Sequence, residues 1–303
     1  MNPLASWNEG PAKSAIFDFV ARVTDERSTD FVPVARRIAV FDNDGTLWCE
    51  YPMQTQVYFG FAQLAGLVEK DPELKKRQPY KAFLEHDLET LHRLGKKAVF
   101  EFAFATHAGM TVTEFDAHAR DWFESARNPK LDRLFLKCVY RPQVELLDYL
   151  RANGFKPFIV SGGGIDLIRA FAETAYGIPP EQVIGSSLHM KIEASGTTVN
   201  LRKLPKLHSF DDREEKVVNI GLHIGCRPIL CFGNSDGDLA MMRYTMTGDG
   251  PRFALLLHHD DAAREFAYDR DFKLSPLREA LETAAEHRIQ VVSMAKDWSE
   301  VFV

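Results

Sequence analysis

Ile38-Ala39-Val40-Phe41-Asp42-Asn43-Asp44-Gly45-Thr46-Leu47 begins with four apolar residues in a row and runs straight into two carboxylates two positions apart, with a glycine directly after. The apolar run, with β-branched Ile and Val in it, reads as a buried strand of a parallel sheet. Such a strand delivers its acids to its carboxyl end, which is where open α/β sheets bind ligands. The same letters also fit a solvated Asp-Asn-Asp-Gly turn closing a hairpin, because Asn and Asp before Gly favour such turns. What the rest of the chain sets around the pair decides between the two.

Three further stretches each sit at the end of an apolar run or beside one. They are Phe158-Ile159-Val160-Ser161-Gly162-Gly163-Gly164, then Lys216 just ahead of Val217 and Val218, then Ile229-Leu230-Cys231-Phe232-Gly233-Asn234-Ser235-Asp236-Gly237-Asp238. The order Asp-x-Asp-Gly-Thr after an apolar strand resembles the first motif of the haloacid-dehalogenase-like hydrolases, most of which are phosphatases, and the other three stretches follow in that family's order. Together they frame residues 38–258 and leave only the two ends uncovered. The branch that the sequence is most similar to is that of the phosphoserine phosphatases.

Working outward, residues 12–24 carry apolar side chains at helical spacing and read as an outer helix covering the sheet. Residues 50–133 show no strand pattern; 53–69, 80–94, 98–104 and 113–126 are mostly helical in period, and Thr111-Val112-Thr113-Glu114 fits a capping box. A helical block of about 80 residues between two core strands is too long for an ordinary connection and reads as a small domain. Pro142 opens an amphipathic helix that Gly154 stops, and the strand at 158–160 follows. The helix at 164–176 leading into a strand at 183–186 repeats that step of a parallel sheet. Residues 189–199 suggest a short hairpin excursion, 216–223 a helix, 229–232 a strand, 253–257 a last strand and 277–287 a closing helix. The expected fold is α/β, a Rossmann-like parallel sheet flanked by helices. The resemblance implies that the helical block is a cap that closes over the site. The expected division is a core at residues 1–48 and 134–303 and a cap at 49–133.

A length of 303 residues with 45% apolar and 26% charged residues suits a globular protein with a sizeable core. The formal charge of −6 gives no basic footprint, which argues against nucleic acid or an anionic membrane as partner. No apolar run is long enough to span a bilayer, and residues 1–13 lack the pattern of a signal peptide. The expected location is cytoplasmic, or periplasmic if an export signal has been removed. Cys49, Cys138, Cys226 and Cys231 show no Cys-x-x-Cys spacing, so reduced thiols are expected. The apolar end Val301-Phe302-Val303 has two readings, docked internally or against a partner, and the sequence leaves the oligomeric state open.

Phosphoryl transfer needs a nucleophile in line with phosphorus, a proton donor for the leaving oxygen and positive charge near the equatorial oxygens. The resemblance implies Asp42 as the nucleophile that becomes an aspartyl phosphate, and Asp44 as general acid and base. Strand alternation puts both on one side, unless a turn at Asn43 redirects them. Ser161, Gly162 and Gly163 lead into a helix and suit the phosphate, although a Ser-Gly-Gly-Gly run is equally a flexible turn. Lys216 is the expected cation for Asp42 and the phosphoryl group, with Lys203 and Lys206 as rivals and a solvated role open to all three. Relatives commonly read Gly-Asp-x-x-x-Asp at the fourth motif; here Asn234 takes the place of the first Asp. The implied cofactor is magnesium, held by the Asp42 carboxylate, the Asp44 backbone carbonyl and Asn234, with Asp238 holding ligand waters and Asp236 as an alternative ligand. Glu50 resembles the glutamate that binds the substrate amine in phosphoserine phosphatases, one residue short of its usual offset. Gln54 to Gln56 and Thr106-His107 are candidates to line the cap or to be buried and satisfied. His258-His259-Asp260-Asp261 reads as a strand-end feature, since neighbouring histidines in a strand face opposite ways. Arg264, Tyr268 and Asp269 carry no motif. The implied function is magnesium-dependent hydrolysis of a small phosphorylated metabolite. The alternatives are transfer to an acceptor other than water and a binding module without turnover.

Overall fold

In the computed structural model, which describes residues 3–85 and 87–303, Ile38–Phe41 forms β1 with all four residues buried. α1 (Pro11–Thr24) comes before it, and α2 (Thr55–Lys70), α3 (Tyr80–Leu84), α4 (Leu88–Ala105) and α5 (Val112–Ser125) come after it. A two-residue pair, β2 (Arg127–Asn128) and β3 (Arg133–Leu134), closes this insertion. Then come α6 (Arg141–Ala152), β4 (Lys156–Gly164), α7 (Ile165–Tyr176), β5 (Val183–Ser195), β6 (Thr198–Ser209) and α8 (Glu214–His223). The chain finishes with β7 (Leu230–Gly233), α9 (Leu239–Met246), β8 (Phe253–Asp260), β9 (Ala267–Tyr268), α10 (Glu279–Thr283), β10 (Gln290–Ser293) and α11 (Met294–Asp297).

The sheet runs β10-β8-β7-β1-β4-β5-β6. Every neighbouring pair from β10 to β5 is parallel, while β6 and β9 add antiparallel edges. From β1 the chain moves outward on one side through β4 and β5, then returns to the other side through β7 and β8. The order therefore reverses at β1, and the carboxyl ends of β4, β1 and β7 lie side by side at the switch point where such sheets bind ligands.

Both faces are covered, as a parallel sheet requires. Ala39 and Phe41 join Ile159 and Phe232 on the face under α1, α6 and α7. Ile38 and Val40 join Val160 and Cys231 on the other, where Ile220 of α8 and Met241 and Met242 of α9 pack. The insertion has its own apolar centre of Val57, Phe83, Leu91, Val99 and Phe102, to which Phe272 and Leu274 from the segment after β9 are added. It is the helical cap, and Thr111 and Glu114 form the capping box that starts α5.

Four expectations need correction. The excursion at 189–199 is a long hairpin, because alternation continues through β6 to Ser209 and β5 extends the core strand into it. The strand at 253–257 is not the last: Gln290–Ser293, too short and too mixed to stand out, pairs with β8 as the edge strand β10. The closing helix is only Glu279–Thr283. The residues read as separate helices at 80–94 and 98–104 form α3 and a single α4 bent at Gly95, whose φ of 80° is not helical. All four cysteines are free thiols. The C-terminus docks internally, with Phe302 bridged to Tyr140.

Candidate active site

β1 ends one residue before Asp42, whose amide still donates to the Phe232 carbonyl at 2.9 Å, so the backbone stays in sheet register as it reaches the site. The chain then turns sharply: Asn43 accepts from the amides of Thr46 (3.1 Å) and Leu47 (2.8 Å), and Gly45 sits at φ 76°. A Cβ at Gly45 would collide with the side chains of Asn234 and Glu50, so only glycine fits both the conformation and the space.

Lys216 comes from α8 and is 2% exposed. Its three ammonium protons have three acceptors: Asp42 Oδ1 at 2.7 Å, Asp238 Oδ1 at 2.6 Å and the Val160 carbonyl at 2.9 Å. Burial alone would depress this lysine, but Asp238, Asp42 and Asp211 outweigh it and hold the ammonium above the ordinary lysine range. Burial and then Asp238 push the Asp42 carboxyl up, against the pull of Lys216. Asp44 is also raised, chiefly by burial, and its Oδ1 accepts from the Trp48 indole at 2.9 Å. Of the rival lysines, Lys203 is paired with Asp166 and Lys206 lies in a separate hollow lined by Phe104 and Leu188.

The Ser161 loop completes the floor. Ser161 Oγ accepts from the Gly163 amide at 3.1 Å, and a Cβ on Gly163 would lie 3.2 Å from Asp44 Oδ2. Asp42, Asp44, Ser161, Gly162, Gly163 and Lys216 thus line a single small cavity of about 20 Å³.

A family model described as haloacid dehalogenase-like hydrolase matches residues 39–243. The chain belongs to that family. Among solved structures, a conserved functionally unknown protein from Anaerococcus prevotii is 17% identical, with a TM-score of 0.57 over 93% of this chain and 91% of that one. A protein of unknown function from Bordetella pertussis is 15% identical, with a TM-score of 0.55 over 85% of this chain and 98% of that one. A probable phosphoserine phosphatase from Vibrio cholerae aligns at a TM-score of 0.41, 16% identical over 86% of this chain and 68% of that one. No curated protein matches the chain.

This haloacid dehalogenase-like hydrolase departs from the simple motif picture at its fourth motif. Asn234 accepts from the Thr46 hydroxyl at 2.9 Å and donates to Glu50 Oε1 at 2.7 Å, so its amide plane is held from both ends. Asp238 gives Oδ1 to Lys216 and Oδ2 to the amides of Asn234 (2.9 Å) and Ser235 (3.0 Å), which ties the β7 loop to the lysine. Asp236 faces elsewhere, accepting from the amides of Arg278 and Ala280 at the start of α10.

Glu50 is fully buried, with four donors around it: Asn234, Gln54 (2.9 Å), Ser275 (2.7 Å) and the Tyr268 hydroxyl (3.3 Å). Burial pushes its carboxyl up to about 7. Beside it, His259 is 2.7 Å from the Gly45 carbonyl and 3.2 Å from Glu265, two groups that can only accept, so both ring nitrogens carry protons. Burial alone would lower that histidine, but Glu265 holds it above its ordinary value. His258 and His259 do face opposite ways; the buried one anchors the turn after β1.

Several residues at the site have no motif to announce them. Lys96 reaches in from α4 and pairs with Asp212 at 2.8 Å. Gln54 lines the cavity with its buried Oε1 unpartnered. Gln56 Oε1 accepts from the Gly164 amide at 2.5 Å. His107 is packed against the rings of Phe59 and Phe115, away from the floor. Glu50 and Gln54 are four residues apart but lie ahead of α2 in a non-helical segment, so no periodicity announces this second layer.

Proposed function

We propose that the chain is a magnesium-dependent phosphatase that hydrolyses a small phosphomonoester through a phosphoaspartate on Asp42. The observation that carries this is Lys216, buried and divided between Asp42 and Asp238 at the switch point of the sheet. In the first step a carboxylate oxygen of Asp42 bonds to phosphorus, the ester P–O bond breaks, and the departing alkoxide takes a proton from Asp44. In the second, water attacks phosphorus and gives its proton to Asp44; the Asp42 carboxylate is regenerated and inorganic phosphate leaves. The raised carboxyl of Asp44 suits the acid role, because it keeps a larger protonated fraction near neutral pH. Lys216 fixes Asp42 and balances phosphoryl charge, while Ser161, Gly162 and Gly163 receive the phosphate oxygens.

The residues fit magnesium. Asp42, the Asp44 carbonyl and the Asn234 carboxamide offer only oxygens, as a hard cation requires. Asn234 Oδ1 has a second lone pair beyond the one Thr46 uses, and Glu50 fixes which end of the amide faces which way. When bound, the ion would supply positive charge to the phosphoryl group and to two buried carboxylates. Asp238 is assigned to Lys216 and the β7 loop, and Asp236 to α10. Residues 49–133 are the cap, and 1–48 with 134–303 the core, in this reading.

The test is hydrolysis of p-nitrophenyl phosphate with and without magnesium, beside Asp42→Asn, with intact-mass detection of a phosphorylated chain. The expected result is magnesium-dependent turnover that falls by about 10⁴ or more in the variant. Turnover that persisted in Asp42→Asn would remove the nucleophile assignment. An inactive wild type would favour a binding module.

A further inference from the structure

The small polar cavity above Asp42 does not end the site. A cavity of about 550 Å³ lies between the cap and the segment after β9, within the range of ligand pockets and far beyond the space of a trapped water. Tyr51, Phe83, Leu91 and Val99 form its cap side, and Tyr268 and Phe272 its core side. Charged groups, Lys130, Asp269, Asp271 and Lys273, also line it.

Two features set it beside the phosphate site. Glu50 is the wall between them: it accepts from Gln54 and Ser275, which line the polar cavity, and from Tyr268, which lines the large one. A third hollow of about 150 Å³ shares Lys96, Asp212, Ser235 and Ser275 with the polar cavity, and Lys273 and Leu274 with the large one. The aromatic lining is already ordered. Tyr268 is stacked on His259 at 4.4 Å on one side and on Tyr51 at 5.1 Å on the other, with Phe272 edge-on at 5.0 Å. Both faces of Tyr268 are thus covered, and the cluster offers the cavity ordered ring edges at little further entropic cost.

Resting on the phosphatase reading, we infer that the large cavity receives the organic part of the substrate and that this part is aromatic: the enzyme is an aryl phosphomonoesterase. The phosphoryl group sits over Asp42, and the ring system passes by way of Lys96 and Ser275 to lie against the Tyr51, Tyr268 and Phe272 cluster. A compact polar leaving group would leave this apolar space unfilled.

The experiment compares 2-naphthyl phosphate with glycerol phosphate as substrates of the full chain, and measures binding of 2-naphthol alone by calorimetry. Phe272→Ala removes a ring and Val99→Trp fills the space. Wild type is expected to bind 2-naphthol and to favour the naphthyl ester in kcat/KM, and each variant is expected to cut that preference by about tenfold. Should a variant fail to fold, wild-type binding of 2-naphthol, and its competition with the naphthyl ester, still decide the matter. Turnover of both esters with no naphthol binding, or a preference untouched by both variants, overturns the aryl assignment and leaves the phosphatase reading standing. Naphthol binding weakened by the variants, with no hydrolysis of either ester, supports the cavity assignment and overturns the phosphatase reading.

Discussion

Glu50 shows what a single buried carboxyl does to the pH response. Its folded value of about 7 stands above the ordinary 4.5, so the folded state prefers the protonated form. The contribution to stability is therefore full below pH 4.5 and is lost as pH rises through about 7, and at 1.36 kcal/mol per unit the loss is about 3 kcal/mol. Urea unfolding at pH 5 and pH 8 should show wild type losing about that much more than Glu50→Gln, and parallel profiles would refute the assignment. Lys216 makes the complementary case. Replacing it by Met leaves Asp42 and Asp238 buried without their cation, which should cost about 3–5 kcal/mol, partly recovered by adding Asp238→Asn; an unchanged denaturation midpoint would contradict this. Asp42, Asp44, Ser161 and Lys216 stood out because the resemblance to the family's ordered motifs fell on stretches that end an apolar run or adjoin one. The partners of Glu50 could not, since Tyr268 and Ser275 are 218 and 225 residues away and only folding brings them together.

Among the elements, β1, β4 and β7 were legible because strands buried on both faces must be apolar throughout, whereas β10 at the edge has no such requirement. The turn after β1 was open between a hairpin and a site until the β7 loop was known to close over it. That turn is where sequence and packing are least forgiving. Gly45 at φ 76° faces Asn234 and Glu50 where a Cβ would go, so Gly45→Ala meets both backbone strain and collision. A loss of more than about 2 kcal/mol is expected, above the roughly 1 kcal/mol of an unfavourable φ alone. The contrast is Gly95 in α4, also at positive φ but with no atoms within 4 Å of its missing Cβ. Gly95→Ala should cost only the conformational part. Thermal unfolding of the two variants side by side checks this, and equal losses would show that the packing around Gly45 is not what constrains it.

At the scale of the whole molecule, the strandless stretch at 50–133 revealed that a cap exists, but periodicity says nothing of how a cap sits on a core. That depends on contacts such as Lys96 with Asp212, the one from α4 and the other from the turn before α8. Lys96 and Phe100 of α4 line the cavity over Asp42 together with Asp212. On the phosphatase reading, a cap that draws back to admit substrate and then closes would exclude water around the reacting atoms. The Lys96–Asp212 pair, mostly shielded at 22% and 14% side-chain exposure, joins α4 to the turn before α8 beside that cavity. If it is only a latch, Lys96→Met and Asp212→Asn should each lower kcat/KM by about the same amount, roughly fivefold for about 1 kcal/mol of lost closure. If Lys96 also meets the phosphoryl oxygens once Asp212 releases it, Lys96→Met should be the more damaging of the two, because it alone removes positive charge from the site. The second outcome is expected: Lys96 lies close to both glycine loops of the floor, with its ammonium 3.9 Å from where a Cβ on Gly162 would be and 3.7 Å from one on Gly237. Steady-state kinetics of the two variants and their double mutant separate the roles, and values for both equal to wild type would show that closure does not depend on this pair.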